Sequence, residues 1–85
     1  MDEQAVAREM IQFLKSKILP DPSVELLVDT PLVSSGLVDS FALVEVLLQL
    51  EKLTNRTIPA SKVSPNDLDS VAQMLVTAEK IGKSR

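Results

Sequence analysis

Residues 34–53 read SSGLVDSFALVEVLLQLEKL, and the fold turns on the apolar run that follows Asp39-Ser40. Advancing about 100° per residue separates its side chains into two helical faces. Leu43, Val46, Leu47, Leu50 and Leu53 make one continuous stripe suited to a core. Phe41, Val44 and Leu48 fall on another, with Glu45 beside them. So small a chain has little to bury that second stripe against, and an exposed apolar strip of this kind marks an interaction surface. The helix is predicted over 40–54. It stops before TNRTIP, where Asn55 favours a turn and Pro59 forbids continuation.

Working outward, DEQAVAREMIQFLKSKI (2–18) predicts a first helix with Val6, Met10, Phe13 and Leu14 at helical spacing, joined by Ile11 and Ile18. Arg8, Gln12 and Lys15 lie on its other side. Pro20 and Pro22 are expected to stop it, since neither donates a backbone hydrogen bond and both restrict the residue before them. Residues 20–39 form a long connection with Pro31 and Gly36, yet it holds Val24, Leu26, Leu27, Leu32, Val33 and Leu37. That apolar content predicts an ordered loop packed across helix ends, with a short helical turn around 24–27, and long ordered loops are often functional. A further short turn is predicted at 65–68. The last helix is predicted over 70–81, with Val71, Met74, Leu75, Ala78 and Ile81 on one face. Gly82 lies just past its end, and Glu79 with Lys83 gives an i,i+4 pair. The expected fold is all-α: a small irregular four-helix bundle, three helices long and one short, with a long first loop, in one domain over 1–85.

Composition narrows the chemistry. The 85 residues include no Cys, His, Trp or Tyr. Disulfides, cysteine nucleophiles, imidazole bases, a Ser-His-Asp triad and the usual transition-metal ligand sets are excluded. Twelve acidic residues against nine basic give a net charge of −3, which argues against nucleic acid as a partner. Asp67 and Asp69 lack the rest of a calcium-loop pattern and read as loop and cap residues. No apolar run is long enough to span a membrane, and the N-terminus lacks the signal-peptide pattern, so the expected location is cytoplasmic. An enzyme is not expected.

Asp39-Ser40 has an ordinary reading: either residue suits a helix N-cap. The chain contains a control in LDSVAQML, where Asp69-Ser70 precedes the last helix and Ser70 reads as its cap, with Gln73 as capping-box partner. Ser34 and Ser35 read as turn hydrogen-bonders. Arg8 and Arg56 read as solvated, with contact to a partner beyond the second helix the alternative for Arg56.

The surroundings of Asp39-Ser40 separate the two pairs. SSGLVDSFALVEVLLQLE resembles the phosphopantetheine attachment motif of acyl and peptidyl carrier proteins. The resemblance extends over nearly the whole chain: the first helix, the apolar loop, Gly36, VEVLLQLE, TIP at 57–59 and the last helix beginning near DLDSV. It implies that Ser40 receives a 4′-phosphopantetheine arm from coenzyme A through a phosphopantetheinyl transferase. The arm's thiol, rather than any protein cysteine, would then hold an acyl or aminoacyl thioester. It further implies that Asp39 caps the helix and helps the transferase recognise the site. A serine at a helix N-terminus suits the purpose, because the positive end of the dipole favours the phosphate it acquires.

Two departures refine the resemblance. Fatty-acid carriers usually have Gly two residues before the Asp and Leu after the Ser. Here Gly36 lies three before Asp39, and Phe41 follows Ser40. GLVDSF is more similar to discrete carriers charged by an adenylating ligase, such as D-alanyl and aminoacyl carriers. The second helix is also poor in charge, with Glu45, Glu51 and Lys52. Expected partners are therefore an adenylating acyl or aminoacyl ligase and a downstream acyltransferase, synthase or condensing enzyme. They would dock on Phe41, Val44 and Leu48, with Glu45 giving polar registration, and the family suggests a monomer. Val63, Leu68 and Val71 are expected to line one end of the bundle, where an attached chain would meet the protein. A fatty-acid synthesis carrier is the alternative within the family. An unmodified helical adaptor, using the stripe to bind protein, is the alternative outside it.

Overall fold

The computed structural model describes residues 2–19, 21 and 23–84. Helix α1 (Glu3–Phe13) begins at Asp2, whose carboxylate accepts the Ala5 N–H at 3.2 Å. It buries Val6, Ala7 and Met10. The helix widens into a π-turn at Leu14–Ile18, closed by Leu19 N–H on the Leu14 carbonyl at 2.8 Å. Ser16 explains the widening: its hydroxyl donates to the Gln12 carbonyl at 2.8 Å and competes with the helical ladder there. The expected stops, Pro20 and Pro22, lie outside the described residues. Leu19, just before Pro20 in sequence, is already extended.

Helix α2 (Ala42–Thr54) buries Val46, Leu50 and Thr54. Asn55 ends it in the left-handed conformation at φ 54°, its N–H on the Glu51 carbonyl. The Glu51 carboxylate then accepts the Ile58 N–H at 2.8 Å, holding the turn that brings Ile58 back into the core. Two 3₁₀ turns follow, Ala60–Lys62 and Pro65–Leu68. The second is fastened by a reciprocal capping box between Ser64 and Asp67. Helix α3 (Val71–Ile81) buries Val71, Met74, Thr77 and Ala78, and the Thr77 hydroxyl is satisfied by the Asp67 carbonyl at 2.9 Å. Each of the three helices packs on the other two. The radius of gyration, 11.6 Å, is close to the ~12 Å of a single compact domain of this length.

Several local expectations are corrected. No helical turn forms at 24–27. The Asp21 carboxylate takes the Ser23 N–H and hydroxyl, and the Thr30 hydroxyl takes the Leu27 N–H at 2.8 Å. These side chains satisfy the backbone locally and leave turns in place of a helix. Hydrogen bonds from the Ser23 hydroxyl and then its N–H hold the Asp21 carboxyl below its ordinary value.

Gly82 lies just past the end of α3, as expected, and its N–H closes on the Ala78 carbonyl at 3.0 Å. It is extended at φ −72°, and a Cβ there would fall against the Ala78 carbonyl oxygen. The chain leaves the helix at that point. Lys83–Ser84 (β2) pairs antiparallel with Arg56–Thr57 (β1), so Glu79 and Lys83 share no helical face. Arg56 is not simply solvated either: it is half-buried, and its Nη1 donates to the Ala78 carbonyl at 3.3 Å, capping the end of α3.

The long loop is an integral layer. Leu26, Leu32 and Val38 are buried in the core. The Val28 carbonyl accepts the Ala72 N–H at 2.8 Å, in the first turn of α3. Among the described residues no helix is long and apolar enough to cross a membrane.

Candidate functional site

The two Asp-Ser pairs divide their labour in opposite ways. At the head of α2 the aspartate is the cap: Asp39 Oδ1 accepts the Ala42 N–H at 2.9 Å. The Phe41 backbone is already helical at φ −70°, ψ −38°, and Ser40 sits in the turn between the capping carboxylate and the first residue of α2. Its side chain is exposed and relieved of capping. At the head of α3 the serine is the cap, Ser70 Oγ accepting the Gln73 N–H at 3.0 Å.

Asp69 is thereby free to reach across the molecule. Its Oδ1 accepts the N–H groups of Val33 at 2.7 Å and Ser34 at 2.9 Å, with a longer bond from Leu32 at 3.2 Å. Its Oδ2 accepts the Ser34 hydroxyl at 2.9 Å. The Leu32 N–H also reaches the Asp69 carbonyl at 2.7 Å. Bonds from the Ser34 N–H and hydroxyl, helped by those from Val33 and Leu32, outweigh partial desolvation and hold this carboxyl below its ordinary value.

This clasp fixes the strap that delivers Ser40. From Ser34 the chain passes Ser35, whose hydroxyl donates to the Pro31 carbonyl at 2.6 Å. It then turns at Gly36, which takes φ +83°, a left-handed conformation that costs a residue with Cβ. The Val38 N–H closes the turn on the Leu32 carbonyl at 3.0 Å, and Val38 enters the core. Asp39 and Ser40 emerge beside it at the surface.

Ser40 opens onto a groove of about 250 Å³. Leu43, Val44 and Leu47 of α2 form one side, and Ala60, Val63, Ser64, Pro65 and Leu68 form the other. Of the three residues expected at this end, Val63 and Leu68 line the groove, while Val71 is buried in the core. Ala60, Ser64 and Pro65 were not legible as lining from sequence, because the 3₁₀ turns that place them carry no periodic apolar signal.

Along α2 the apolar residues divide as helical geometry requires. Val46 and Leu50 are buried, and Leu43, Leu47 and Leu53 pack against the core. Phe41, Val44 and Leu48 are 87%, 63% and 59% exposed, and Glu45 is exposed among them. Val44 borders the Ser40 groove. Leu48 borders a second groove, of about 360 Å³, between α2 and the π-turn. Leu27, Val28 and Val76 are exposed elsewhere. The arrangement presents an exposed hydroxyl at the positive end of a helix dipole, next to an apolar groove and an apolar ridge.

Comparison with protein-family models, curated proteins and solved structures finds no match to this chain.

Proposed function

We propose that this chain is a stand-alone acyl or aminoacyl carrier protein, with Ser40 as the attachment point of a 4′-phosphopantetheine arm. The observation that carries the reading is the exchange of capping roles. Asp39 satisfies the helix end, and Ser40 stands exposed in the turn that enters α2, beside an apolar groove. The residues suit the group. An oxygen nucleophile is accessible, the helix end favours a phosphodiester, and the groove offers apolar surface to whatever hangs from it. In this reading the fold is an irregular four-helix bundle whose short helix is the turn at Pro65–Leu68.

Attachment balances simply. The Ser40 oxygen attacks the phosphorus of coenzyme A that bears the pantetheine. The phosphoanhydride bond breaks, adenosine 3′,5′-bisphosphate leaves, and the hydroxyl proton passes to a base on the transferase. When bound, the arm supplies the thiol on which an acyl or aminoacyl group travels as a thioester. This chain contributes the hydroxyl, its presentation by the Gly36 strap and Asp39 cap, and a docking ridge of Phe41, Val44 and Leu48 with Glu45 alongside. Its partners are a phosphopantetheinyl transferase, an adenylating ligase and a downstream acyltransferase, synthase or condensing enzyme in the cytoplasm. The sequence GLVDSF favours ligase-charged carriers over the fatty-acid type.

Incubation with coenzyme A, magnesium and a broad-specificity phosphopantetheinyl transferase tests this by intact mass. One added phosphopantetheine is expected in the wild type and in Ser70→Ala, and none in Ser40→Ala. No gain in a folded, initially unmodified sample, with a known carrier modified in parallel, would sink the proposal. The exposed ridge would then favour the second reading, a helical adaptor that binds protein without modification and tolerates Ser40→Ala.

A further inference from the structure

Among the described residues, every hydrogen bond from 31–38 to the rest of the chain ends on Asp69. The segment is otherwise bonded to itself. Ser35 Oγ donates to the Pro31 carbonyl at 2.6 Å, the Gly36 N–H to the Val33 carbonyl at 3.1 Å and the Val38 N–H to the Leu32 carbonyl at 3.0 Å. A strap closed on itself in this way shifts as one piece, and its outside contacts decide where it sits. Burial of Leu32 and Val38 holds it to the core, but apolar burial is non-directional. Orientation is left to the acceptors of Asp69. Leu32 is the relay: its N–H lies 2.7 Å from the Asp69 carbonyl and 3.2 Å from Oδ1, and its own carbonyl takes the Val38 N–H. Val38 is followed by Asp39, which caps α2 at the Ala42 N–H, and then by Ser40.

From this path we infer that Asp69 is a positioning residue for transfer onto Ser40, holding the strap where Asp39 can cap α2 and Ser40 can meet the incoming phosphorus. The inference rests on the carrier reading and deepens it, by adding a residue from the head of α3 to the machinery that serves Ser40. Without the Asp69 carboxylate, the bond from Leu32 to the Asp69 carbonyl survives, and the strap keeps one polar anchor to pivot about. A role in stability alone has a different signature. Lost stability lowers the fraction of folded carrier, which raises the apparent KM for the carrier and leaves kcat unchanged. A displaced Ser40 on a protein that still docks lowers kcat instead, because a small misplacement of reacting atoms is costly. Docking is retained because Val44 and Leu48 lie within α2 itself.

The test compares wild type, Asp69→Ala and Ser70→Ala in the full chain. Ser70→Ala is the control for lost stability, because the Ser70 hydroxyl bonds within α3 and not to the strap. Amide exchange is read first, on unmodified ¹⁵N-labelled protein. In Asp69→Ala the Val38 and Ala42 amides should exchange about tenfold faster relative to Leu50 in the core of α2, and in Ser70→Ala that ratio should hold at its wild-type value. Initial rates of transfer from coenzyme A by a phosphopantetheinyl transferase are then measured over a range of carrier concentrations. Asp69→Ala should lower kcat about tenfold with KM for the carrier within about twofold, and Ser70→Ala should keep the wild-type kcat. Ser34→Ala, which removes only the bond to Oδ2, should show the same pattern at about threefold, and it serves should Asp69→Ala fail to fold. Faster exchange confined to Leu32, Val33 and Ser34, an unchanged kcat with a raised KM, or an equal loss of kcat in Ser70→Ala would overturn the inference. No transfer onto wild type would end the carrier reading and the role in transfer with it. Exchange at Val38 and Ala42 needs no modification, so a failed carrier reading and a failed coupling through Leu32 are distinguishable.

Discussion

Ser40 and Ser70 are the same residue in the same dipeptide at the head of a helix, and they do different things. A helix end needs one side-chain acceptor for its first N–H groups. In the first pair Asp39 fills that need, and in the second Ser70 does. Whichever residue is left over is free for something else: Ser40 faces solvent, and Asp69 holds the loop. Truncation should therefore sort the pairs crosswise. Asp39→Ala and Ser70→Ala should each cost about 1 kcal/mol, while Ser40→Ala, at an exposed position outside the cap, should fall within about 0.5 kcal/mol of wild type. Urea unfolding at neutral pH measures all three. A Ser40→Ala cost equal to that of Asp39→Ala would mean that Ser40 is a cap after all.

At the scale of the element, α2 serves as core and as surface with one run of thirteen residues. Its inner stripe is irreplaceable: Leu50 is fully buried, the class of site where Leu→Ala costs about 2–5 kcal/mol. The outer ridge is thermodynamically idle in the free protein. Phe41→Ala and Val44→Ala should leave stability within about 0.5 kcal/mol of wild type, yet each should slow transfer onto Ser40 about tenfold or more if partners dock there. Initial rates of modification, set against melting curves of the same proteins, separate the two effects. Charge reversal of Glu45 that abolished transfer, with both alanine variants unaffected, would put docking on charge instead of apolar contact.

At the scale of the molecule, the loop and α3 are joined by one carboxylate. Asp69 collects N–H groups from three successive loop residues, and the same loop inserts Leu26, Leu32 and Val38 into the core. The position of Ser40 thus depends on a residue nearly thirty places later in the chain. Because the Asp69 carboxyl is held below its ordinary value, the folded state keeps it ionised where an unfolded chain, at about 3.9, would begin to protonate. The stability it contributes is present above that unfolded value and is lost as pH falls through the folded one. Asp69→Ala should therefore be less stable than wild type at about pH 6, and the gap should narrow toward about pH 2. Faster amide exchange at Val33 and Ser34 should accompany the variant. A gap independent of pH would show that the carboxylate is not the clasp.

The amino-acid sequence by itself determined the three helices, the two faces of α2 and the candidate serine. Helical periodicity and punctuation by Asn and Pro are local properties, readable over a few turns. The inner and outer stripes separated on the page because rotation per residue is nearly constant. What the sequence left open was decided by contacts between distant residues. Asp39-Ser40 and Asp69-Ser70 are indistinguishable as dipeptides, and which member caps depends on what the other can reach. For Asp69 that is the Val33–Ser34 backbone, brought within hydrogen-bonding distance by the core burial of Leu32. The bridge between Arg56–Thr57 and Lys83–Ser84 is two residues long on each side, too short to leave a periodic trace. The groove beside Ser40 and the groove beside Leu48 exist only where separate segments pack together. Helices are written in local geometry, whereas caps, clasps and grooves are settled by which partners the packed chain brings within reach.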